Sequence, residues 1–236
     1  LFKEIAGTTA VTTSGDTVGK WNDKSGNARH IVAPADTAVR PLYDLTSGVH
    51  SVVGNALNST ALSGTSIPAM WQAGAWTLVL AVKANPATAA ILISEGDSAS
   101  NNTIASYARA NGTTASSAGY SYIRANDGTT NLTDPTVVLK TGVWDNNYRV
   151  FIIMDDGTGL TTWLDGVKTA KMTGGYNRGG GSTTLNRFSM FARLRTTFDS
   201  YFTGQVQHAS GYNYAFSDAD AAQATTYAAL KQGRSL

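Results

Sequence analysis

Few side chains in this sequence could do chemistry, and their spacing matters more than their number. Hydrolysis of a glycosidic bond needs two carboxylates flanking one point, about 5 Å apart in a retaining enzyme. On a strand, that means acids at alternate positions. The chain has two glutamates, Glu4 and Glu95, and its one Glu-x-Asp triplet, Glu95-Gly96-Asp97, reads as a turn. Asp155 and Asp156 are adjacent, so in a strand they face opposite sides. His30, His50 and His208 lie far apart, with no acid beside any of them in sequence. Nothing marks a nucleophile with its base, and the chain reads as a protein that is not an enzyme. With no cysteine, disulfides and thiolate metal sites are excluded.

Binding chemistry is better represented. Five Trp and ten Tyr suit either core packing or stacking on sugar faces. Trp76 and Trp144 read as core residues, while Trp71, Tyr107, Tyr122, Trp163 and Tyr176 are candidate ligand contacts. The stretch Thr173 to Ser182, TGGYNRGGGS, is a glycine-rich loop whose only large side chains are Tyr176, Asn177 and Arg178. An aromatic, an amide and a guanidinium on one loop form a candidate contact tip. Arg187, Arg193 and Arg195 share one face of an expected strand, a face that reads as solvated and paired to nearby Asp.

The elements that must hold these residues are mostly strands. Trp76 to Lys83 (WTLVLAVK) and Tyr148 to Met154 have apolar residues on both faces, as central strands of a sandwich do. Ala90 to Ser94 is the natural partner of the first, with Glu95-Gly96-Asp97 as a turn. Asp127-Gly128, Asp156-Gly157 and Asp165-Gly166 are turn signals, the last joining 162–164 to 167–172 in a hairpin. Leu185 to Leu194 alternates as one strand. Near the end, Gly204 sits inside a strand, a mark of a bulge or close backbone approach. Ser217 then caps a helix, Asp218 and Asp220 favour its positive end, and Gly233 stops it. Ala224, Tyr227 and Ala228 form the face expected to pack on the sandwich and close one end of the core. Many short strands and one helix predict an all-β, antiparallel two-sheet sandwich over residues 1–236, with 1–17 as an N-terminal extension.

Three stretches carry a resemblance to a family. "YFTGQVQHASGYNYAFSDADAAQ" resembles the closing segment of concanavalin A-like jelly rolls of the laminin-G and pentraxin kind. "GVWDNNYRVFIIMDDGTGLTTWLDGVKTAK" looks like the family's Trp-led strand, acidic turn and Asp-Gly hairpin. "WNDKSGNARHI" with "RPLY" looks like the entry strand of bacterial and phage members. The resemblance implies a jelly roll, and it allows calcium held by loop acids such as Asp97, Asp127 and Asp155. Those acids read first as ordinary turn residues, so no cofactor is expected. Where many relatives carry acids in the closing strand, this chain has Gln205 and His208.

A net charge of +2 with 14% charged residues offers no bulk charge for nucleic acid or a membrane surface. The most apolar run, Trp76 to Val82, is far too short to span a bilayer. Opening at Leu1 rather than Met, the chain reads as a processed or excised piece. The expected role is a non-catalytic adhesion or decoration module at a virion surface or outside a cell. Its partners would be a glycan or host-surface receptor and other virion or surface subunits, within a homo-oligomer or larger assembly. The alternatives are a purely structural virion subunit and a glycan hydrolase with atypical acids.

Overall fold

The computed structural model describes residues 1–64, 74–84, 89–97, 99–110, 122–127, 140–173, 185–194 and 196–236. In chain order the strands are β1 (Lys20–Trp21), β2 (Ile31–Val32), β3 (Leu42–Thr46), β4 (Val49–Gly54), β5 (Leu62–Gly64), β6 (Trp76–Lys83), β7 (Ala90–Asp97), β8 (Ser100–Ala110), β9 (Tyr122–Asp127), β10 (Tyr148–Asp155), β11 (Leu160–Leu164), β12 (Val167–Lys168), β13 (Arg187–Met190), β14 (Arg193–Leu194), β15 (Phe198–Asp199) and β16 (Gly204–Tyr212). Helix α1 (Asp218–Leu230) follows. No helix among the described residues is long and apolar enough to cross a membrane.

Two seven-stranded sheets hold nearly all of these strands. One has the order β1-β2-β5-β13-β7-β8-β9, the other β12-β11-β10-β6-β16-β4-β3. All of the strand pairings are antiparallel. As the apolar patterning predicts, β6 and β10 are central neighbours, paired from Tyr148↔Lys83 to Asp155↔Trp76. Three expectations need correction. Strand β7 does not pair with β6; it lies in the other sheet between β13 and β8. The chain crosses between layers after Lys83, so sequence neighbours are not sheet neighbours here. Glu95-Gly96-Asp97 is not a turn but the end of β7, where Glu95 opposes Phe188 and Ala105. Leu185 to Leu194 is not one strand, because Phe191 turns the backbone at φ +67 between β13 and β14.

Alternation along β6 divides the apolar residues between two layers. Trp76, Leu78, Leu80 and Val82 join Leu92, Ile93, Tyr107, Phe151, Ile153 and Met190 in the core between the sheets. Val79 and Ala81, with Val150, Ile152 and Trp163, form a second apolar cluster on the opposite face. Helix α1 covers that face through Ala221, Ala228 and Ala229, joined by Phe216. The helix therefore lies flat against one sheet rather than closing an end of the core. Small Ala side chains, also the strongest helix formers, let it approach the strands closely. Thr225, not Tyr227, belongs to the buried face; Tyr227 is half exposed.

The helix ends follow their sequence signals. The Asp220 N–H donates to Ser217 Oγ at 3.1 Å, and the Ser217 N–H donates to Asp220 Oδ2 at 2.9 Å. That is a reciprocal capping box. At the other end Gly233 has φ +67, and the Arg234 N–H donates to the Ala229 carbonyl at 3.0 Å. Residues 1–17 are tied to the sheets by bridges from Phe2 to Lys20 and from Thr17 to Leu42.

Candidate functional site

Strands β11 and β12 make a tight hairpin whose two-residue loop is Asp165-Gly166. Both loop residues have positive φ, +48 and +82, as the turn that matches strand twist requires. This loop puts Trp163 directly opposite Lys168. The Lys168 ammonium lies 5.5 Å from the Trp163 ring centroid, a cation–π geometry. Its Nζ also meets Asp218 Oδ1 at 2.6 Å, linking the hairpin to the first residue of α1.

Asp165 anchors the turn from below. Its Oδ1 accepts the Val150 N–H at 2.9 Å and Arg234 Nη1 at 3.1 Å, and its Oδ2 accepts Arg149 Nη1 at 2.9 Å. Burial pushes this carboxyl upward, but the Val150 N–H and the two guanidinium groups outweigh it and hold it below its ordinary 3.8. Arg149 is held in turn by Asp145, which lies near 2 chiefly through that bond.

Between the hairpin and the helix lies a cleft of about 380 Å³. Trp163, Asp165, Gly166 and Lys168 line it from the hairpin, and Asp218, Ala222, Thr225 and Thr226 from the helix, together with Leu236. Thr226 donates its hydroxyl back to the Ala222 carbonyl at 3.1 Å. Thr225 does not: it is 4% exposed, and its Oγ1 has no hydrogen-bond partner among the described residues. A buried hydroxyl without a partner is uncommon in a folded protein.

The sequence-predicted contacts scatter. Trp163 lines the cleft, although at 4% exposure it is a wall and not an open platform. Tyr107 is fully buried, edge-on to Trp76 with centroids 5.1 Å apart, and its hydroxyl donates to Glu95. Its place is the core, beyond the reach of a ligand. Trp71, Tyr176, Asn177 and Arg178 lie outside the described residues, as do Arg195 and the side chain of Tyr122. Arg193 pairs with Asp199, in line with a solvated, paired face. Sequence reasoning did not select Lys168, Asp218 or Thr225. The Asp-Gly loop could have given Lys168, since a two-residue hairpin fixes its partner.

The acids and histidines are engaged elsewhere. Glu95 is 1% exposed, within the apolar interior beside Tyr107. Asp155 is fully buried and accepts the Gly157 N–H at 2.7 Å; Asp97 accepts the Ala99 N–H at 2.9 Å. These are local turn bonds, and among the described residues no group of three His, Asp or Glu could hold a metal. The side chain of Asp127 lies outside them. His208 Nε2 is 3.0 Å from Ser210 Oγ, and its ring meets Tyr227 edge-on at 5.3 Å. Burial, with the Lys231 charge second, lowers His208 to about 4. So weak a base would not activate Ser210 at neutral pH.

Searches by family model and against curated proteins find no match to the chain. Solved structures do match in fold. The CBM40 of the Ruminococcus gnavus IT-sialidase, bound to α2,3-sialyllactose, aligns with TM-score 0.50 and 12% identity over 66% of this chain and 84% of that one. The same module bound to α2,6-sialyllactose gives TM-score 0.50 and 13% identity over 66% and 85%. A leech intramolecular trans-sialidase, complexed with 2,7-anhydro-Neu5Ac, gives TM-score 0.50 and 15% identity over 66% of this chain. This chain spans 24% of the length of the leech protein, and 24% of the NanB sialidase structure that it also matches. Two antiparallel seven-stranded sheets, a shared core and these alignments agree: the chain is an all-β, concanavalin A-like jelly-roll sandwich with one short C-terminal helix.

Proposed function

We propose that this chain is a non-catalytic glycan-binding module that works through the cleft between the β11–β12 hairpin and α1. The observation that carries the reading is the meeting of Trp163, the Lys168–Asp218 pair and Thr226 around one concave space. A few placed polar groups in an apolar-walled concavity are what a small-ligand site requires. The fold likeness to a CBM40 solved with sialyllactose supports the same class of ligand. The burial of Glu95 supports the absence of catalysis, since a carboxylate inside the core cannot flank a substrate.

The module's setting is the surface of a virion or the outside of a cell, where it attaches a larger assembly to a glycan-bearing host surface. The low charge, the absence of cysteine and the Thr/Gly/Ala-rich composition support that setting. The loop holding Tyr176, Asn177 and Arg178 serves as a further contact, toward glycan or a neighbouring subunit.

The test is a glycan array probed with the folded chain, followed by incubation with each bound glycan and chromatography of the products. Binding without release of shorter sugars is expected. Silence across the array contradicts the binding role, and released oligosaccharide contradicts the non-catalytic one.

A further inference from the structure

Resting on the glycan-binding reading, we propose a second sugar contact: a strip of tyrosines and hydroxyls on the other flank of α1, which takes a short uncharged oligosaccharide lying along β16. Helix α1 packs over Val79, Ala81, Val150 and Ile152, on β6 and β10. The cleft beside Trp163 is on its β11 side, and β16 lies on its other side, next to β6. There His208, Ser210 and Tyr212 alternate along the strand, so they share one face. Contacts put that face on the helix side. The His208 ring meets Tyr227 of α1 edge-on at 5.3 Å, and Tyr212 packs against the apolar cluster under the helix. All three strand residues are only partly buried. At about 3.3 Å per residue, His208 to Tyr212 spans about 13 Å, room for more than one sugar ring.

The aromatic end of the strip is held from beneath. Beyond Tyr212 the chain turns back over the end of β6, and the fully buried Thr77 ties that turn. Its hydroxyl donates to the Tyr214 carbonyl at 2.8 Å and accepts the Phe216 N–H at 3.2 Å. The turn sets the Tyr214 ring nearly perpendicular to Tyr212, with centroids 5.9 Å apart, and 5.4 Å from the buried Phe216. Tyr214 nevertheless keeps 47% of its surface exposed. A ring held open to solvent on a tied backbone is a ready stacking surface, because little freedom is lost when a ligand arrives. Tyr227, 50% exposed, stands at the far end of the strip. Between the two, polar groups are linked in a row. Ser210 Oγ lies 3.0 Å from His208 Nε2 and donates to the Tyr212 hydroxyl at 3.4 Å. Each hydroxyl has more hydrogen-bonding positions than these bonds fill, so a ligand hydroxyl can join the row. An apolar partner would cover the same groups without pairing them. With His208 held near 4, the row is uncharged at neutral pH. Lys231, whose ammonium lies 4.7 Å from the Tyr227 ring centroid, is the one cation beside it among these residues. Phosphate or carboxylate groups therefore meet no cluster of cations here, and an uncharged sugar chain matches both the rings and the hydroxyls.

The test titrates the ¹⁵N-labelled chain with cellotetraose, xylotetraose, mannotetraose and the uncharged glycan that an array retains most strongly, beside tetragalacturonate as the charged comparison. The expected result is saturable amide shifts from His208 to Tyr214 and at Tyr227 with at least one neutral sugar, and weaker binding of tetragalacturonate. Tyr214→Ala, at an exposed ring, should weaken that sugar about ten-fold, whereas Tyr214→Phe, which keeps the ring, should stay within about three-fold of the parent. Matching far-UV spectra of the parent and both variants check that the fold is kept. The proposal is overturned if no neutral sugar shifts these amides, if Tyr214→Ala binds like the parent, if the two variants lose affinity equally, or if tetragalacturonate binds as tightly as the best neutral sugar. Array binding with shifts confined to other residues sinks this inference alone; a silent array sinks the glycan-binding reading with it.

Discussion

Asp165, at the tip of the β11–β12 hairpin, holds the guanidinium of Arg234, just past the end of α1, at 3.1 Å. The same Arg234 Nη1 donates to the Tyr148 carbonyl at 2.6 Å, and the Gln232 amide donates to the Val82 and Arg149 carbonyls at 3.2 and 3.0 Å. The two walls of the cleft are thus fastened to each other and to the central strands β6 and β10. Replacing Asp165 by Asn removes a charge shared by Arg149 and Arg234. Charge-assisted hydrogen bonds contribute about 1.5–3 kcal/mol each, so the variant should lose about 2–3 kcal/mol. Denaturant unfolding measures this, and a loss below about 0.5 kcal/mol would show that Asp165 does not fasten the helix.

Thr225→Val should stabilise the fold by about 1 kcal/mol, because an apolar group replaces a buried hydroxyl that has no partner. Unfolding midpoints of the two proteins check this. A less stable variant would mean that the hydroxyl is satisfied in solution.

Ser217→Ala removes the hydroxyl that accepts the Asp220 N–H, leaving the backbone half of the capping box, and should cost about 0.5–2 kcal/mol. An unchanged melting curve would show that the box seen here does not support the helix.

Gly204 is a close-approach position. A Cβ built there would lie 2.5 Å from the Ala84 Cβ and 2.7 Å from the Phe202 ring. Gly204→Ala should therefore destabilise by about 1–3 kcal/mol through overpacking. A neutral result in thermal unfolding would mean that β16 moves away from its neighbours without cost.

Much of this architecture was legible because it is local. Alternation marks β6 and β10, the Asp-Gly pair marks the β11–β12 turn, and Ser217 with the following acids marks α1. The missed features depend on contacts distant in sequence. An Ala-rich helix is apolar on several sides, so its composition does not say whether Thr225 or Tyr227 faces the sheet; the surface of Val79, Val150 and Trp163 decides that. Glu95 reads as a turn residue until the Tyr107 hydroxyl is brought against it in the core. Trp163 was accessible to sequence reasoning as an aromatic on a hairpin. Asp218 was explained as a helix-end charge, and its pairing with Lys168 appears only when elements 50 residues apart are docked.

His208 gives the fold a pH dependence of known sign. In the folded protein its pKa is lowered from 6.5 to about 4, by burial first and by Lys231 second. Between those values the unfolded chain binds a proton that the folded chain does not. Stability is therefore fully present above pH 6.5 and falls as the pH drops toward about 4. The difference amounts to about 3 kcal/mol. Asp145 and Asp156, both lowered to about 2, titrate in a separate and more acidic window. Urea unfolding of the parent and of His208→Gln between pH 7 and 4 checks this. The variant should lose the slope, and identical slopes would assign it to other groups.

The central claim is that the space beside Trp163 binds sugar. Its most direct measurement is a crystal structure of the chain soaked with a glycan chosen from the array. The account predicts a sugar ring in the cleft beside Trp163, with a hydroxyl between Lys168 and Asp218. A sugar bound elsewhere on the sandwich, with this cleft holding only solvent, would contradict it.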